Sequence, residues 1–344
     1  MNSDWKSYLT NNGAELVQDI VVSFGNIEQE RHIVGSGDVM CDLSHLAILE
    51  VCGEDSIEFL QNQFTNDVAT LAVGKSQFDG WCTPKGRLLA LFRVTRVAED
   101  RFLLILPRDL VEGVEKKLQM FIFRSKVTIN NLSEDAVRIG LSGPKAEAQL
   151  SAVAEASPLP SEVDSAVITD KCTIVRLRPG PHPRFLVVTE AEPAQKIWSH
   201  FDVQSAPIGR GAWELLKIRA GVPSVFLQTQ ESFVPQMLNL QAINGLSFQK
   251  GCYPGQEVVA RMEYLGKLKR KMFSIFIHEE SAPTIGSKLY SASSTSAQGA
   301  GEVIAIEKDG DGAWEGLAVI EVSAAEADDV TLSEDGAIPV IIIQ

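Results

Sequence analysis

The chain has 344 residues, 22% of them charged, and a formal net charge of −14 at pH 7. That length suits two or three domains with substantial apolar cores, and the acidic balance argues against extensive unaided binding to nucleic acid, which needs a concentrated basic surface. No uninterrupted apolar run approaches the ~20 residues of a membrane span, and Met1-Asn2-Ser3-Asp4-Trp5-Lys6 lacks a basic segment followed by an apolar one. The five cysteines, Cys41, Cys52, Cys82, Cys172 and Cys252, are scattered, with no zinc-knuckle or redox spacing. A soluble cytoplasmic protein with reduced thiols is expected.

In chain order, the first strong pattern is a strand over 46–51, stopped by Gly53 and followed by a helix over 55–64. There Ile57, Leu60 and Phe64 recur at helical spacing behind an Asp/Ser start. The same order returns as a strand over 137–142, Gly143-Pro144 and a helix over 145–153, which suggests paired α+β subdomains. Between them lie strands over 88–97 and 101–106, a helix over 110–120 whose apolar face is expected to be Leu110, Val111, Val114, Leu118 and Phe121, and a strand over 125–129.

The segment 154–170, with Pro158 and Pro160, reads as a loop. Strands over 173–177 and 184–189 follow, then helices over 194–201 and 211–220, the second closed by Gly221 and Pro223. Past 267 the character changes. Short strands over 272–277, 301–306, 316–322 and 338–343, separated by Gly, Ser and Asp, form the pattern of a small antiparallel barrel, and the serine-rich 291–296 reads as a mobile loop. Alternating hairpins and helices suit antiparallel sheets with helices on one face better than a doubly wound parallel sheet. The expected fold class is α+β: two interleaved subdomains over 1–265 and a C-terminal β-barrel over 266–344.

The octapeptide Lys250-Gly251-Cys252-Tyr253-Pro254-Gly255-Gln256-Glu257 places one thiol in a glycine-flanked turn that runs into a helix over 256–261. Gly251 and Gly255 permit positive φ or close approach, and Pro254 fits the first turn. A thiol ahead of a helix N-terminus, two residues from Lys250, sits in a field that favours thiolate. The alternative is an architectural turn in which Cys252 is a small buried filler. Downstream, Arg261, Lys267, Lys269, Arg270 and Lys271 stand against the single acid Glu263, a net of +4. This stretch reads as a solvated strand edge or as a patch for an anionic tail. Gly35-Ser36-Gly37 lacks the rest of a dinucleotide fingerprint. The histidines, His32, His45, His182, His200 and His278, show no metal-ligand spacing, and no metal site is expected.

The run Phe233-Val234-Pro235-Gln236-Met237-Leu238-Asn239-Leu240, continued through the octapeptide to Val258-Val259-Ala260-Arg261, closely resembles the signature of the YgfZ proteins. These are folate-binding relatives of the glycine-cleavage T-protein, tied to maintenance of iron-sulfur enzymes and to tRNA modification. The resemblance implies a GcvT/YgfZ-like aminomethyltransferase fold with a reduced folate, tetrahydrofolate, as ligand. It implies that Trp213, in Gly211-Ala212-Trp213-Glu214-Leu215-Leu216, contributes to the folate site. Leu46 stands where the family has a second folate-associated tryptophan, and Arg219 where T-proteins carry glutamate; a cation cannot accept hydrogen bonds from a pterin amino edge. On the turn Thr83-Pro84-Lys85-Gly86-Arg87, Lys85 and Arg87 could face a folate tail.

T-protein chemistry relies on an aspartate just after that turn. Leu89 and Ala90 replace it here, so no carboxylate remains to assist proton transfer, and a classical aminomethyltransferase is not expected. The implied function is a folate-binding protein that supports iron-sulfur cluster assembly or repair in client enzymes and thereby tRNA modification by methylthiolation. The alternative is a folate-dependent aminomethyltransferase or demethylase. Cys252 is then a reactive thiol tuned by Lys250, with Gln256 and Glu257 capping the helix or orienting the turn. Expected partners are the folate and iron-sulfur client or assembly proteins, with neither tight nucleic-acid binding nor a membrane.

Overall fold

The structure, a computed structural model, describes residues 1–154, 156, 158–264, 266, 268–279, 282–296 and 299–343. Lys267 of the basic stretch, residue 265 at the expected domain boundary, and residues 155 and 157 of the expected 154–170 loop lie outside the described residues. The chain forms two compact units, each discontinuous in sequence. The first comprises Met1–Phe59, Ala69–Gln77 and Arg93–Leu216; the second comprises Leu60–Val68, Phe78–Phe92 and Lys217–Gln344.

The first unit carries the repeated strand-glycine pattern. Leu46–Cys52 pairs antiparallel with Arg101–Pro107 and Thr128–Asn131, and Val137–Ser142 with Arg184–Thr189 and Val39–Asp42. Gly53 and Gly143 end the two strands at φ +128 and +144. A Cβ would stand 2.0 Å from the Lys126 oxygen at the first and 2.4 Å from Asp38 Cα at the second, so only glycine fits. A carboxylate braces each turn from opposite sides: Asp55, two residues after Gly53, accepts from Lys126 N, whereas Asp38 accepts from the N–H of Lys145, two residues after Gly143, both at 2.7 Å.

Alternation along Arg184–Thr189 divides the apolar interior. Phe185 and Val187 enter one core with Trp5, Trp198 and Phe201, while Leu186 and Val188 enter another with Val39, Ile48, Ile105 and Trp213. The helices Ser3–Asn11 and Ala191–Phe201 supply the first core, and Trp5 Nε1 donates to Asp42 at 2.8 Å. Part of the segment read as a loop is strand instead: Ala166–Ile168 pairs antiparallel with Cys172–Leu177. Three residues are too few to show a period.

In the second unit the C-terminal sheet has six strands, in the order Val330–Thr331, Lys288–Ser291, Gly301–Lys308, Trp314–Glu321, Arg270–Ile277 and Val340–Ile343. Neighbouring strands are antiparallel. Thr331 also bridges Pro339, so the outer strands nearly meet and the sheet approaches the expected barrel, closed around Ile275, Ile277, Leu289, Val303 and Ile320. The serine-rich segment is tied to this sheet by bonds from Ser291 Oγ and Ser293 N to Asp329 at 2.5 and 2.9 Å. Among the described residues no helix is long and apolar enough to cross a membrane, and no cluster of His, Cys, Asp and Glu could hold a metal ion.

Candidate functional site

The helix Gln256–Tyr264 follows the thiol-bearing turn. Gly255 has φ +84, and a Cβ there would lie 2.5 Å from the Thr83 oxygen and 2.6 Å from Gly86 Cα. Gly86 has φ +71, and its Cβ would press Val258 at 3.1 Å. Two glycines therefore let two turns touch backbone to backbone, and the hairpin of Lys85 and Arg87 comes against the turn of Cys252, Gln256 and Glu257. Gln256 braces the turn further, its Nε2 donating to the carbonyls of Gly251 at 3.3 Å and Lys250 at 3.4 Å.

Cys252 is exposed, whereas Cys41, Cys82 and Cys172 are buried, so it is not the core filler that the local sequence also allowed. Burial pushes the Cys82 thiol up to about 12 and the Cys41 thiol well above its ordinary value, which makes both inert. A Cβ at Gly251 would meet nothing within 4 Å. Glu257 is exposed in the first helical turn, where a carboxylate complements the helix dipole.

Lys250 is buried, and its Nζ donates to the carbonyls of Phe64, Gln61 and Asn66 at 2.5, 2.6 and 2.8 Å. These carbonyls lie at the end of the helix Ser56–Gln63, which has no basic residue in its own last turn. The ammonium thus supplies a cation that this helix end lacks, and all three of its protons have acceptors. Burial lowers Lys250 to about 8, opposed by Asp79 and Asp67, and the Tyr253 ring lies 5.2 Å from Nζ. The carbonyl partners and both aspartates escaped the sequence reading; the one available signal was a helix ending without a cation or a glycine.

Of the two hairpin cations, Arg87 donates to the Ser232 carbonyl. Lys85 is exposed and has no ion pair among the described residues. Leu89 and Ala90 are buried, and the Leu89 carbonyl accepts from Gln230 Nε2 at 2.8 Å. Arg219 forms a two-pronged ion pair with Glu315: Nε donates to Oε2 and Oε1 at 3.0 and 3.1 Å, and Nη2 adds a bond to Oε1. Those bonds hold the Arg219 charge up against the cost of burial. Glu315 sits on the strand Trp314–Glu321, so Arg219 ties the end of its helix to the C-terminal sheet.

Trp213 and Leu46 belong to the first unit, and Leu46 packs on the cluster that contains Trp213. The indole rests on Gly140, where a Cβ would stand 2.6 Å from the ring, and beneath the Arg184 guanidinium, 4.6 Å from its centroid. At 2% exposure neither ring face is open. Burial lowers Arg184 to about 10, opposed by Glu214, which also meets His45 at 3.1 Å.

These paired subdomains and the barrel-like sheet define a protein of the glycine-cleavage T class. Residues 10–247 match the family model described as GCVT N-terminal domain. The crystal structure of glycine cleavage system aminomethyltransferase T from Bartonella henselae superposes with a TM-score of 0.81 at 17% identity, covering 100% of this chain and 96% of that one. Within the class, the chain belongs to the YgfZ family. It is 34% identical over 236 residues to the tRNA-modifying protein YgfZ of Colwellia psychrerythraea, covering 69% of this chain and 71% of the relative. It is 30% identical over 305 residues to the protein of the same name from Yersinia enterocolitica, covering 89% and 91%.

Proposed function

We propose that this protein binds a reduced folate and supports assembly or repair of iron-sulfur clusters in client enzymes, and through them tRNA modification. The observation that carries the reading is Cys252: an exposed thiol on a turn braced by Lys250, by Gln256 and by the Gly86–Gly255 contact. A preorganised thiol gives up little entropy on meeting a partner. As a thiolate it can ligate one iron of a client's cluster, releasing its proton to solvent. Lys250 acts on it by anchoring the backbone, and Glu257 by its place at the helix start.

The residues fit tetrahydrofolate in part. Lys85 is available to the anionic tail, while Arg87 and Arg219 are engaged with Ser232 and Glu315. Trp213, covered by Gly140 and Arg184, offers no stacking platform. When bound, tetrahydrofolate serves as a carrier of one-carbon units. The buried apolar pair Leu89 and Ala90 weighs against aminomethyl transfer or demethylation, since no carboxylate stands there to move a proton.

The test is thermal unfolding with added tetrahydrofolate. A ligand at a hundred times its Kd adds about 2.7 kcal/mol, so a melting temperature that rises with ligand, and rises less in Lys85→Glu, supports the reading. A melting temperature indifferent to ligand removes folate from it.

A further inference from the structure

The helix Val111–Gln119 runs into a knuckle whose side chains point to solvent. Met120, Phe121 and Phe123 are 69, 43 and 86% exposed. Bonds from Phe121 N to Leu118 O, Ile122 N to Gln119 O and Phe123 N to Phe121 O, at 3.0 to 3.1 Å, hold the segment in successive turns. Lys116, Lys117, Arg124 and Lys126 are exposed around it, and no acid occurs between 116 and 127. Lys126 is paired with Glu54; the other three cations have no ion pair among the described residues. Glu115, on the same helix, accepts from Gln119. A chain of net charge −14 thus presents exposed aromatic side chains flanked in sequence by three exposed cations.

We propose that this knuckle contacts single-stranded RNA, with Phe123 stacking on an unpaired base and Lys116, Lys117 and Arg124 neutralising phosphates. The proposal rests on the proposed link to tRNA modification and deepens it: this protein would touch the RNA directly while a client modifies it. Positive charge calls for an anionic partner, and the 86% exposed Phe123 ring beside it offers a free stacking face. A base needs only one ring face, and such stacking contributes about 1–3 kcal/mol. The acidity of the remaining chain keeps the contact weak, with a Kd on the order of 10⁻⁵ M.

The experiment is fluorescence anisotropy of a short fluorescein-labelled oligoadenylate titrated with the full chain at low salt. Saturable binding is expected, weakened about five-fold or more by Phe123→Ala and by the double change Lys116→Glu, Lys117→Glu. The salt slope should be about −2, as three phosphate contacts on a single strand require. Melting temperature and its rise with tetrahydrofolate should stay as in the parent, which separates failure here from failure of the folate reading. Absence of saturable binding, or binding that both variants leave intact, overturns the proposal. So does binding to phosphatidylserine vesicles that depends on Phe123 when RNA binding does not.

Discussion

The Lys250 ammonium donates to the Phe64 carbonyl oxygen at 2.5 Å, joining the turn that bears Cys252 to the end of a helix far away in sequence. Lys250→Met keeps the apolar stem but leaves three carbonyls without their donor. It should lower stability by about 2–4 kcal/mol, read by denaturant unfolding, and should speed the reaction of Cys252 with a thiol reagent under conditions where the variant remains folded.

The same pair sets a pH dependence. Lys250 falls from an ordinary 10.5 to about 8 on burial, so between these values the unfolded chain holds a proton that the folded chain has released. Stability from this group therefore rises with pH across that window. The parent gains stability across this window and Lys250→Met does not, so the gap between them should widen towards its upper end; melting curves of the two from pH 7.5 to 10.5 check the sign.

Gly255 and Gly251 flank the thiol but differ in need. Gly255→Ala meets both a positive φ and the Thr83 backbone at 2.5 Å and should destabilise by about 3 kcal/mol or more. Gly251→Ala points into open space and should stay within about 0.5 kcal/mol of the parent. Equal effects in urea unfolding would contradict the described turn.

Arg219 and Glu315 offer a third check. Arg219→Ala strands a buried carboxylate and should cost about 2–4 kcal/mol, whereas the double change Arg219→Ala, Glu315→Leu should recover part of that loss. Additive effects in the double-mutant cycle would show that the pair does not tie the helix to the sheet.

Legibility followed the length and periodicity of each element. Leu46–Cys52 and Val137–Ser142 could be read because each is an apolar-rich stretch ended by a glycine that its surroundings require. The first forty residues could not: the helix Ser3–Asn11 buries only Trp5 and Leu9, and the strands Glu15–Val17 and Ile20–Ser23 are too short for a period. At the site, the octapeptide marked the turn, since glycine and proline act locally. The partners of Lys250 and Arg219 were hidden because they are set by tertiary contact: backbone carbonyls carry no side-chain signature, and Glu315 lies 96 residues from Arg219.

The central claim is that Cys252 is the working group of a braced turn, and complementation tests it most directly. Iron-sulfur enzyme activity would be measured under oxidative stress in cells that lack this protein and carry either the parent or Cys252→Ala. Because Cys252 is exposed, the variant should fold and melt like the parent, yet client activity should fall to the level of cells without the protein. Undiminished activity with Cys252→Ala would contradict the account.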